Sequence, residues 1–529
     1  MTGLLRRPSA RLFIVAAIVV IAMVLSLPIA LTPSLRSRLT RALSERFDSK
    51  VELASLHVTI LPRPRVSGSG VVLRHKGRSD VPPLITIATF AAEASLWGLI
   101  GRPVRLSNVR VEGLEINIPP GGVDLDKKDD ARSASVPQPA DPKPETVKRA
   151  SASSLIVDGL LAERAVLRIL RRDPGKAPRV WEIAHLSMQR AGANEPWPFH
   201  AQLTNPVPPG RLDVRGTFGP WSAGEPSETP LGAAYEFRDA DLGVFKGIRG
   251  ALQSNGQFKG VLKQIEVTGT TDVPQFALDD VGHPVPLKTQ FTAMVDGTNG
   301  NTWLKPVNAQ LGQSSVVAQG GIVEREEQDG RTIELDIDMA DARIEDILRL
   351  AVKSSQPALV GGLKLKTKFL LPPGKVDVIE KLQLDGSFHI ASAQFSEGGL
   401  QAKMNALSQK AKGDAGSGKP AERVASDFAG RYVMKGGVIR FASLTFTVPG
   451  ARLNLAGTYA IRSEALDFHG TVRMDAKLSE LTTGYKSVLL KAIDPLVQRK
   501  DVTVIPITVS GTADQPKFGL DVKRALTRH

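Results

Sequence analysis

Along most of the chain, apolar and polar residues alternate, which is the pattern of β-strands that bury one face. Within residues 109–118 the alternation changes phase at Gly113, as a β-bulge would make it do. Helical spacing is confined to short stretches at residues 33–48, 344–352 and 485–496. The chain is therefore predicted to be mainly β, with a few short helices.

A strand template that places glycine in the third inward position recurs along the chain, as in Leu453-Leu455-Gly457. Inward glycine removes a side chain where a sheet bends, so the repeats predict an elongated, curved, largely antiparallel sheet. A closed sandwich would show the same alternation. A sealed core would, however, be expected to fill the glycine positions, gaining roughly 0.8 kcal/mol for each CH₂ buried. The glycines therefore favour an apolar groove. The residues predicted to line it are Leu453, Leu455, Tyr459, Leu466, Phe468 and Val472.

One apolar run near the start of the chain has the length of a membrane-spanning helix. Residues 12–31 contain no charged side chain, and a helix of about 20 residues spans the roughly 30 Å hydrocarbon core of a bilayer. A signal peptide usually has a shorter run and a small-x-small exit, whereas Pro28 stands where a small residue is expected. The run is therefore predicted to be an uncleaved transmembrane anchor, with residues 1–11 in the cytoplasm and the remainder exported.

Composition predicts further divisions of the chain. Residues 121–153 have few apolar side chains and many charges and prolines, so a disordered linker or loop is predicted there. Residues 408–427 are polar and glycine-rich and are predicted to form a mobile loop. The breaks separate an N-terminal module, a central β-rich region and a C-terminal β region, at residues 33–120, 154–407 and 428–529.

Charge and cysteine content limit the classes of function. The net charge is +14, but no dense basic block occurs away from the N-terminus, and five Trp and four Tyr offer little stacking surface. Nucleic acid is therefore not expected as a partner. The absence of cysteine excludes disulfides, thiolate zinc sites and cysteine nucleophiles.

The motifs that would support catalysis are incomplete. Residues 413–419 have the spacing of a phosphate-binding loop, but Pro420 replaces the Ser or Thr that would hold magnesium. Asp336 and Asp338 alternate with apolar residues, as expected of a solvated strand face rather than a calcium site. No enzyme activity, metal or cofactor is predicted. A hydrolase with an unrecognised site remains an alternative.

Two segments resemble the AsmA-like family of bacterial envelope proteins, relatives of AsmA and TamB. The first has the order of a strand, Leu61-Pro62, a glycine-rich strand, a charge-poor helix and a strand ending in Pro119-Pro120. It reads ALSERFDSKVELASLHVTILPRPRVSGSGVVLRHKG, followed by PLITIATFAAEASLWGLIGRPVRLSNVRVEGLEINIPP. The second reads VPGARLNLAGTYAIRSEALDFHGTVRMDAKLSE, followed by KAIDPLVQRKDVTVIPITVSGTADQPKFGLDV.

The resemblance implies a single-pass protein of the bacterial inner membrane with the bulk of its chain in the periplasm. It implies a role in outer-envelope biogenesis, as phospholipid transport or lipid homeostasis between membranes. The implied partners are the membrane, phospholipid or another acyl-chain lipid, and outer-membrane assembly or envelope proteins. The main alternative is an anchored structural protein, or one that assists the assembly of outer-membrane proteins.

Overall fold

The structure is a computed structural model that describes much of the chain after residue 31. The described residues are 32–60, 63–75, 82–118, 155–170, 177–222, 226–325, 330–396, 402, 405, 408, 426–475, 498–499 and 502–520, apart from single residues at 46, 48, 102, 193, 280, 355 and 514. The predicted anchor at residues 12–31, the linker at 121–153 and the helix at 485–496 lie outside this set. Of the helices in the described part, none has both the length and the apolar character needed to span a bilayer.

The chain divides into two compact units. Unit 1 comprises Met1–Phe237, Gly256–Glu266 and Val295–Gly300, and unit 2 comprises Arg238–Asn255, Val267–Met294 and Asn301–His529. The division falls within residues 154–407, which the sequence marks as one central β-rich region.

Unit 1 contains two helices and eight strands that follow one another in the sheet. Helix α1 covers residues 32–45, corresponding to the helix predicted at 33–48, and α2 covers Leu96–Ile100. The strands are β1 (Ser49–Thr59), β2 (Arg65–His75), β3 (Ile85–Glu93), β4 (Val104–Ile118), β5 (Leu155–Ile169), β6 (Arg179–Ala191), β7 (Trp197–Pro206) and β8 (Pro209–Phe218). Neighbouring strands pair antiparallel, except that β4 and β5 are parallel.

The core of unit 1 lies between α1, α2 and one face of the strands. Leu35 and Leu39 of α1 pack in one cluster with Leu53, Leu99 and Val104, and all five are buried. The spacing of four residues between Leu35 and Leu39 places both on one face of the helix, which is why α1 lies on the sheet.

In several strands of unit 1, the alternation of buried and exposed side chains shifts by one residue, and the shifts lie next to one another across the sheet. The buried residues on either side of the change are three apart instead of two: Leu53 and Leu56 in β1, Val111 and Leu114 in β4, Ala162 and Ala165 in β5. The registers place between these positions a row of residues across six strands: Ala54, Gly70, Ala88, Gly113, Arg164 and Ala184.

Three members of this row have left-handed backbones. Gly70, Gly113 and Arg164 have φ of +65°, +62° and +55°. At Gly113 the pairing keeps its register, because Ile87 pairs with Leu114 and Thr89 with Glu112. The β-bulge predicted at Gly113 is therefore wrong. A positive φ turns the following side chain to the other face without inserting a residue into the ladder.

The parallel pairing of β4 and β5 determines what the connection between them must do. The pairing runs from Val104 with Leu155 to Ile118 with Ile169, so the chain leaves one end of the pair and re-enters at the other. At about 3.3 Å per residue these ends are roughly 45 Å apart. Residues 119–154 therefore form a crossover connection that must span this distance, in addition to having the composition of a linker.

Several strands of the middle of the chain contribute residues to both units or are very short. They are β9 (Pro230–Asp241), β10 (Ile248–Arg249), β11 (Ala251–Val261), β12 (Gln264–Leu278) and β13 (Val285–Val295). Short 3₁₀ turns occur at Pro226–Glu228 and Leu242–Val244. Within unit 2, β10 pairs antiparallel with the end of β12.

The remaining strands of unit 2 form antiparallel pairs. They are β14 (Thr302–Leu311), β15 (Ser314–Glu324), β16 (Arg331–Arg343), β17 (Leu359–Leu371), β18 (Gln383–Phe395), β19 (Ser426–Lys435), β20 (Val438–Val448), β21 (Ala451–Ala460), β22 (Ala465–Met474), β23 (Gln498–Arg499), β24 (Val502–Thr512) and β25 (Pro516–Leu520). Strands β14 to β22 pair in chain order, and β24 pairs with β22, β23 and β25.

Two short helices accompany these strands. Helix α3 spans Ile344–Ala351, which confirms the helix predicted at residues 344–352, and α4 spans Val378–Lys381. The alternation thus predicted the class correctly, because the described residues are mainly β with a few short helices.

The segment predicted to be a mobile loop has two described ends. Ser408 is buried, and its hydroxyl donates a hydrogen bond of 2.8 Å to the carbonyl oxygen of Pro449. Strand β19 already begins at Ser426. The rest of the segment, residues 409–425, lies outside the described residues.

Candidate functional site

The six residues predicted to line a groove lie together on two adjacent strands of unit 2. Leu453 pairs with Val472 and Tyr459 with Leu466 across β21 and β22. Between them, Leu455 pairs with Gly470 and Phe468 with Gly457. Since paired residues share a face of the sheet, all six side chains project from one face.

This face is apolar well beyond the two strands. A row of directly paired residues crosses seven strands from β17 to β24: Leu363, Ile390, Phe428, Phe446, Leu453, Val472 and Ile505. The next row contains Leu365, Phe388, Gly430, Leu444, Leu455, Gly470 and Ile507. We call the side of unit 2 that carries these rows the apolar face.

The six predicted residues differ in burial. Leu453, Phe468 and Val472 are buried, with 8%, 6% and 7% of their surface exposed. Leu455, Tyr459 and Leu466 are only half-buried. The face is therefore neither fully covered nor fully open among the described residues.

The glycines of the apolar face do not leave empty volume. A Cβ built on Gly457 would lie 2.7 Å from the Cα atom and 2.8 Å from the ring of Phe468. A Cβ on Gly470 would lie 2.9 Å from the Cα atom of Leu455, and one on Gly430 would lie 2.9 Å from the Leu444 side chain. Neighbouring backbone and side chains occupy these places, so the expectation that a sealed core would fill them is wrong.

Aromatic rings form a ladder on the same face that the sequence reasoning missed. The separations between ring centroids are 5.4 Å for Phe388 and Phe428, 5.8 Å for Phe428 and Phe446, and 5.7 Å for Phe441 and Phe468. Such separations are those of favourable edge-to-face and tilted ring pairs. Each ring occupies an inward position of its own strand, but only the register of five strands brings them together.

Helices α3 and α4 cover parts of this side of unit 2. Ile344, Ile347 and Leu348 of α3 pack against the cluster that contains Leu363 and Ile390. Ile379 of α4 is buried with Met434, Ile461 and Val281, and Tyr459 packs against this cluster. The helices therefore seal two regions of the face, whereas Leu455 and Leu466 belong to neither cluster of buried residues.

A tyrosine lies within the aromatic ladder. Tyr432 is 7% exposed and packs 6.3 Å from the ring of Phe441. Burial raises the pKa of its phenol; a hydrogen bond with Thr367 opposes this effect, and the charge of Asp385 adds to it. The phenol is thus neutral at physiological pH and contributes an uncharged ring to the face.

The opposite side of the strands is polar and carries ion pairs. Asp338 of β16 lies 3.0 Å from the ammonium group of Lys366 on β17. Asp336 pairs in register with Lys368. Both observations fit the interpretation of these aspartates as members of a solvated strand face.

Two depressions are lined largely by polar side chains. One, of about 320 Å³ in unit 1, is lined by Ser55, His57, Ser67, Thr89 and Glu112 among others. The other, of about 610 Å³ in unit 2, is lined by residues that include Gln253, Asn255, Asp272, Lys288 and Gln310. Neither depression includes any of the six predicted groove residues.

A histidine and an aspartate of unit 1 form a pair that the sequence reasoning did not single out. The Nε2 atom of His200 lies 3.0 and 3.1 Å from the carboxylate oxygens of Asp213, and Gln202 donates a hydrogen bond of 3.0 Å to the same group. Burial raises the pKa of Asp213, but these hydrogen bonds and the charges of His200 and Arg215 together hold it below its ordinary value.

An imidazole oriented by a carboxylate is one part of a hydrolytic site. Ser187 lies opposite His200 in the ladder between β6 and β7. In the described residues no hydrogen bond joins the Ser187 hydroxyl to His200. The chain offered no spacing signal for this pair, because the register of β7 with β8 creates it.

Comparison with known proteins adds no relative. No family model, no curated protein and no solved structure matches this chain. In the part of the chain that is described, no group of three His, Asp or Glu side chains is placed to hold a metal ion. The resemblance to the AsmA-like family rests on the two quoted segments and stays a prediction.

Proposed function

We propose that this protein is anchored in the bacterial inner membrane and that its exported β-rich body acts in outer-envelope biogenesis by holding the acyl chains of phospholipid on the apolar face of unit 2. The observation that supports the proposal best is the pair of apolar rows that cross seven strands, together with the half-buried side chains of Leu455 in the second row and Leu466 beyond it.

An acyl chain has the chemistry that such a face would bind. It offers only CH₂ groups, and each one transferred from water contributes about 0.8 kcal/mol. The face offers aliphatic and aromatic side chains and no charged side chain within the two rows. A polar ligand would find no hydrogen-bonding side chain in those rows and would lose its hydration without compensation.

Two observations support the proposed anchor and the export of the body. Residues 12–31 are apolar, uncharged and long enough to span a bilayer, and the resemblance to the AsmA-like family implies that the bulk of the chain is periplasmic. A reporter that is active only outside the cytoplasm should therefore be active when fused after Gly121. An active cytoplasmic reporter at that position would contradict the proposed topology.

A second candidate is a structural protein, or one that assists the assembly of outer-membrane proteins, with a sealed apolar face. Two observations favour it. The glycine positions are occupied by neighbouring atoms, and α3 and α4 cover parts of the face. In this case the half-buried residues would contact protein rather than lipid.

Co-purification of native lipid separates the two candidates. The full-length protein is extracted in a mild detergent, purified, and its bound phospholipid is quantified by mass spectrometry. A lipid-holding face predicts phospholipid in stoichiometric amount and a clear decrease in Leu455→Asp. The matched control is Asn454→Asp, because Asn454 is the exposed neighbour on the opposite face. Equal lipid content in the parent and both variants would favour the structural candidate.

A further inference from the structure

We propose that Trp97 and the arginines of α1 form a membrane-contact surface that seats unit 1 against an anionic lipid bilayer. This inference rests on the transmembrane anchor of the proposed function and concerns a different part of the molecule from the apolar face.

Trp97 is the most exposed of the large apolar side chains identified on the described surface. Its exposed fraction is 84%, compared with 60% for Val207 and Val376. A tryptophan ring left in water forgoes a large burial energy. Tryptophan is enriched at membrane interfaces, where its apolar ring and its polar N–H group are both accommodated.

The exposed Trp97 lies on helix α2, which is fixed by a capping hydrogen bond and by a buried leucine. The Ser95 hydroxyl accepts a hydrogen bond of 2.9 Å from the backbone N–H of Gly98, which caps α2. Leu99 of the same helix is buried to 3% exposure in the core of unit 1. Helix α2 is thus fixed through Leu99 while Trp97 points outward.

Side chains of α1 hold the C-terminal end of α2. The guanidinium group of Arg38 donates hydrogen bonds of 3.0 Å to the carbonyl oxygen of Leu99 and 2.6 Å to that of Gly101. Leu35 and Leu39, on either side of Arg38, pack in the same cluster as Leu99. Trp97 is therefore held beside the first half of α1.

The position of α1 in the chain identifies the occupant of this surface. Its first described residue, 32, directly follows the apolar run at 12–31. At 1.5 Å per residue, Arg38 lies only about 9 Å along the helix from that point. The headgroup layer on each side of a bilayer is about 5 to 8 Å thick. The chain itself thus brings α1 and α2 to the bilayer surface.

The charge of α1 matches an anionic surface. Arg36, Arg38 and Arg41 lie in the helix, and no acidic residue occurs in α1 before Glu45. Arg36 and Arg41 are exposed, and the Arg36 guanidinium group also donates to the Leu53 carbonyl oxygen. Basic side chains near a bilayer are attracted by anionic headgroups, and Trp97 supplies the apolar contact next to them.

Depth-dependent quenching of tryptophan fluorescence tests the proposal. The full-length protein is reconstituted in vesicles of phosphatidylcholine, with or without phosphatidylglycerol, whose acyl chains carry bromine close to the headgroup. We expect the parent to show a quenched component that is absent in Trp97→Phe and retained in the control Trp181→Phe. The Trp181 indole already donates to Asn205 inside unit 1.

The contribution of the arginine charges of α1 is tested in the same vesicles. Phosphatidylglycerol should increase the quenched fraction of the parent at least twofold at low salt, and Arg41→Gln should lose most of that increase. Identical quenching of the parent and Trp97→Phe, in protein that resists alkaline carbonate extraction, would overturn this inference and leave the anchor intact. Extraction by carbonate would instead show that the anchor of the proposed function has failed. A photoreactive amino acid at position 97 gives a second test of the membrane-contact surface. A crosslink to protein and not to lipid would overturn the inference that Trp97 contacts the bilayer.

Discussion

Gly457 on β21 lies directly opposite Phe468 on β22, and a Cβ atom on Gly457 would come within 2.7 Å of the Phe468 Cα atom. The aromatic ring covers the glycine, an arrangement that compensates for the missing side chain in a strand. The glycine is thus required by the close approach of its neighbour.

Gly457→Ala should therefore destabilise unit 2. The added methyl group must displace the backbone of β22, and overpacking of this kind costs about 1 to 3 kcal/mol. We expect a decrease in melting temperature, measured by circular dichroism on the purified full-length protein.

Gly362→Ala is the matched control for this substitution. Gly362 also lies inside a strand, β17, but nothing is within 4 Å of the position its Cβ would take. Its substitution should leave the melting temperature unchanged or raise it slightly. Equal effects of the two substitutions would contradict the interpretation of Gly457 as a site of close approach.

The crossover between β4 and β5 makes a prediction about chain length. Deletion of residues 124–151 would leave eight residues, 119–123 and 152–154, between the two strands. These reach about 30 Å, which is less than the roughly 45 Å between the strand ends. The deletion should abolish the pairing of β4 with β5 and the folding of unit 1, despite the linker-like composition.

A replacement of the same length separates length from sequence. Residues 124–151 exchanged for a Gly/Ser segment of equal length should fold, as judged by limited proteolysis and the yield of protein inserted in membranes. Folding of the short deletion would show that the connection does not need to span the sheet. Failure of the Gly/Ser variant to fold would show that the sequence of the connection matters in addition to its length.

The Asp213 carboxylate should make stability dependent on pH in the acid range. Its folded pKa lies below its ordinary value, so its contribution is complete above the unfolded pKa of about 3.9 and is lost as the pH falls through the folded pKa. Asp213→Asn should lower stability at pH 7 by about 1 kcal/mol, since it removes a partly exposed carboxylate that accepts a hydrogen bond from Gln202 and forms an ion pair with Arg215.

Measurements at several pH values distinguish loss of the Asp213 charge from loss of packing as the cause of the destabilisation. The difference in melting temperature between the parent and Asp213→Asn should shrink steadily below about pH 4. A difference that stays constant down to pH 2 would mean that the carboxylate charge is not its source.

Alternation along the chain was sufficient to predict the strands, because a period of two is a local property of the backbone. Helix α3 was also predicted, since Ile344, Ile347 and Leu348 recur at helical spacing within one segment. The six residues predicted to line a groove share one face of β21 and β22, because inward positions of a strand remain inward whichever strands are neighbours.

Contacts that depend on the register of neighbouring strands could not be predicted from the sequence. The row that contains Gly113 and Arg164 involves residues from six strands, and nothing in a single segment shows that Arg164 has a left-handed backbone. The pairs of Phe388 with Phe428 and of His200 with Asp213 likewise depend on which strands are adjacent. The parallel pairing of β4 with β5 was missed because composition shows that a connection is polar and not where its ends must meet.

Photo-crosslinking shows whether lipid reaches the apolar face. A photoreactive amino acid is placed at Leu455 or Leu466, both half-buried on the face, and at the control position Asn454 on the opposite side. After irradiation of intact cells, we expect phospholipid adducts at positions 455 and 466 and none at position 454. Folded protein without a lipid adduct at either position, together with global unfolding of Leu455→Asp, would contradict this expectation and is the behaviour of a dry and sealed core.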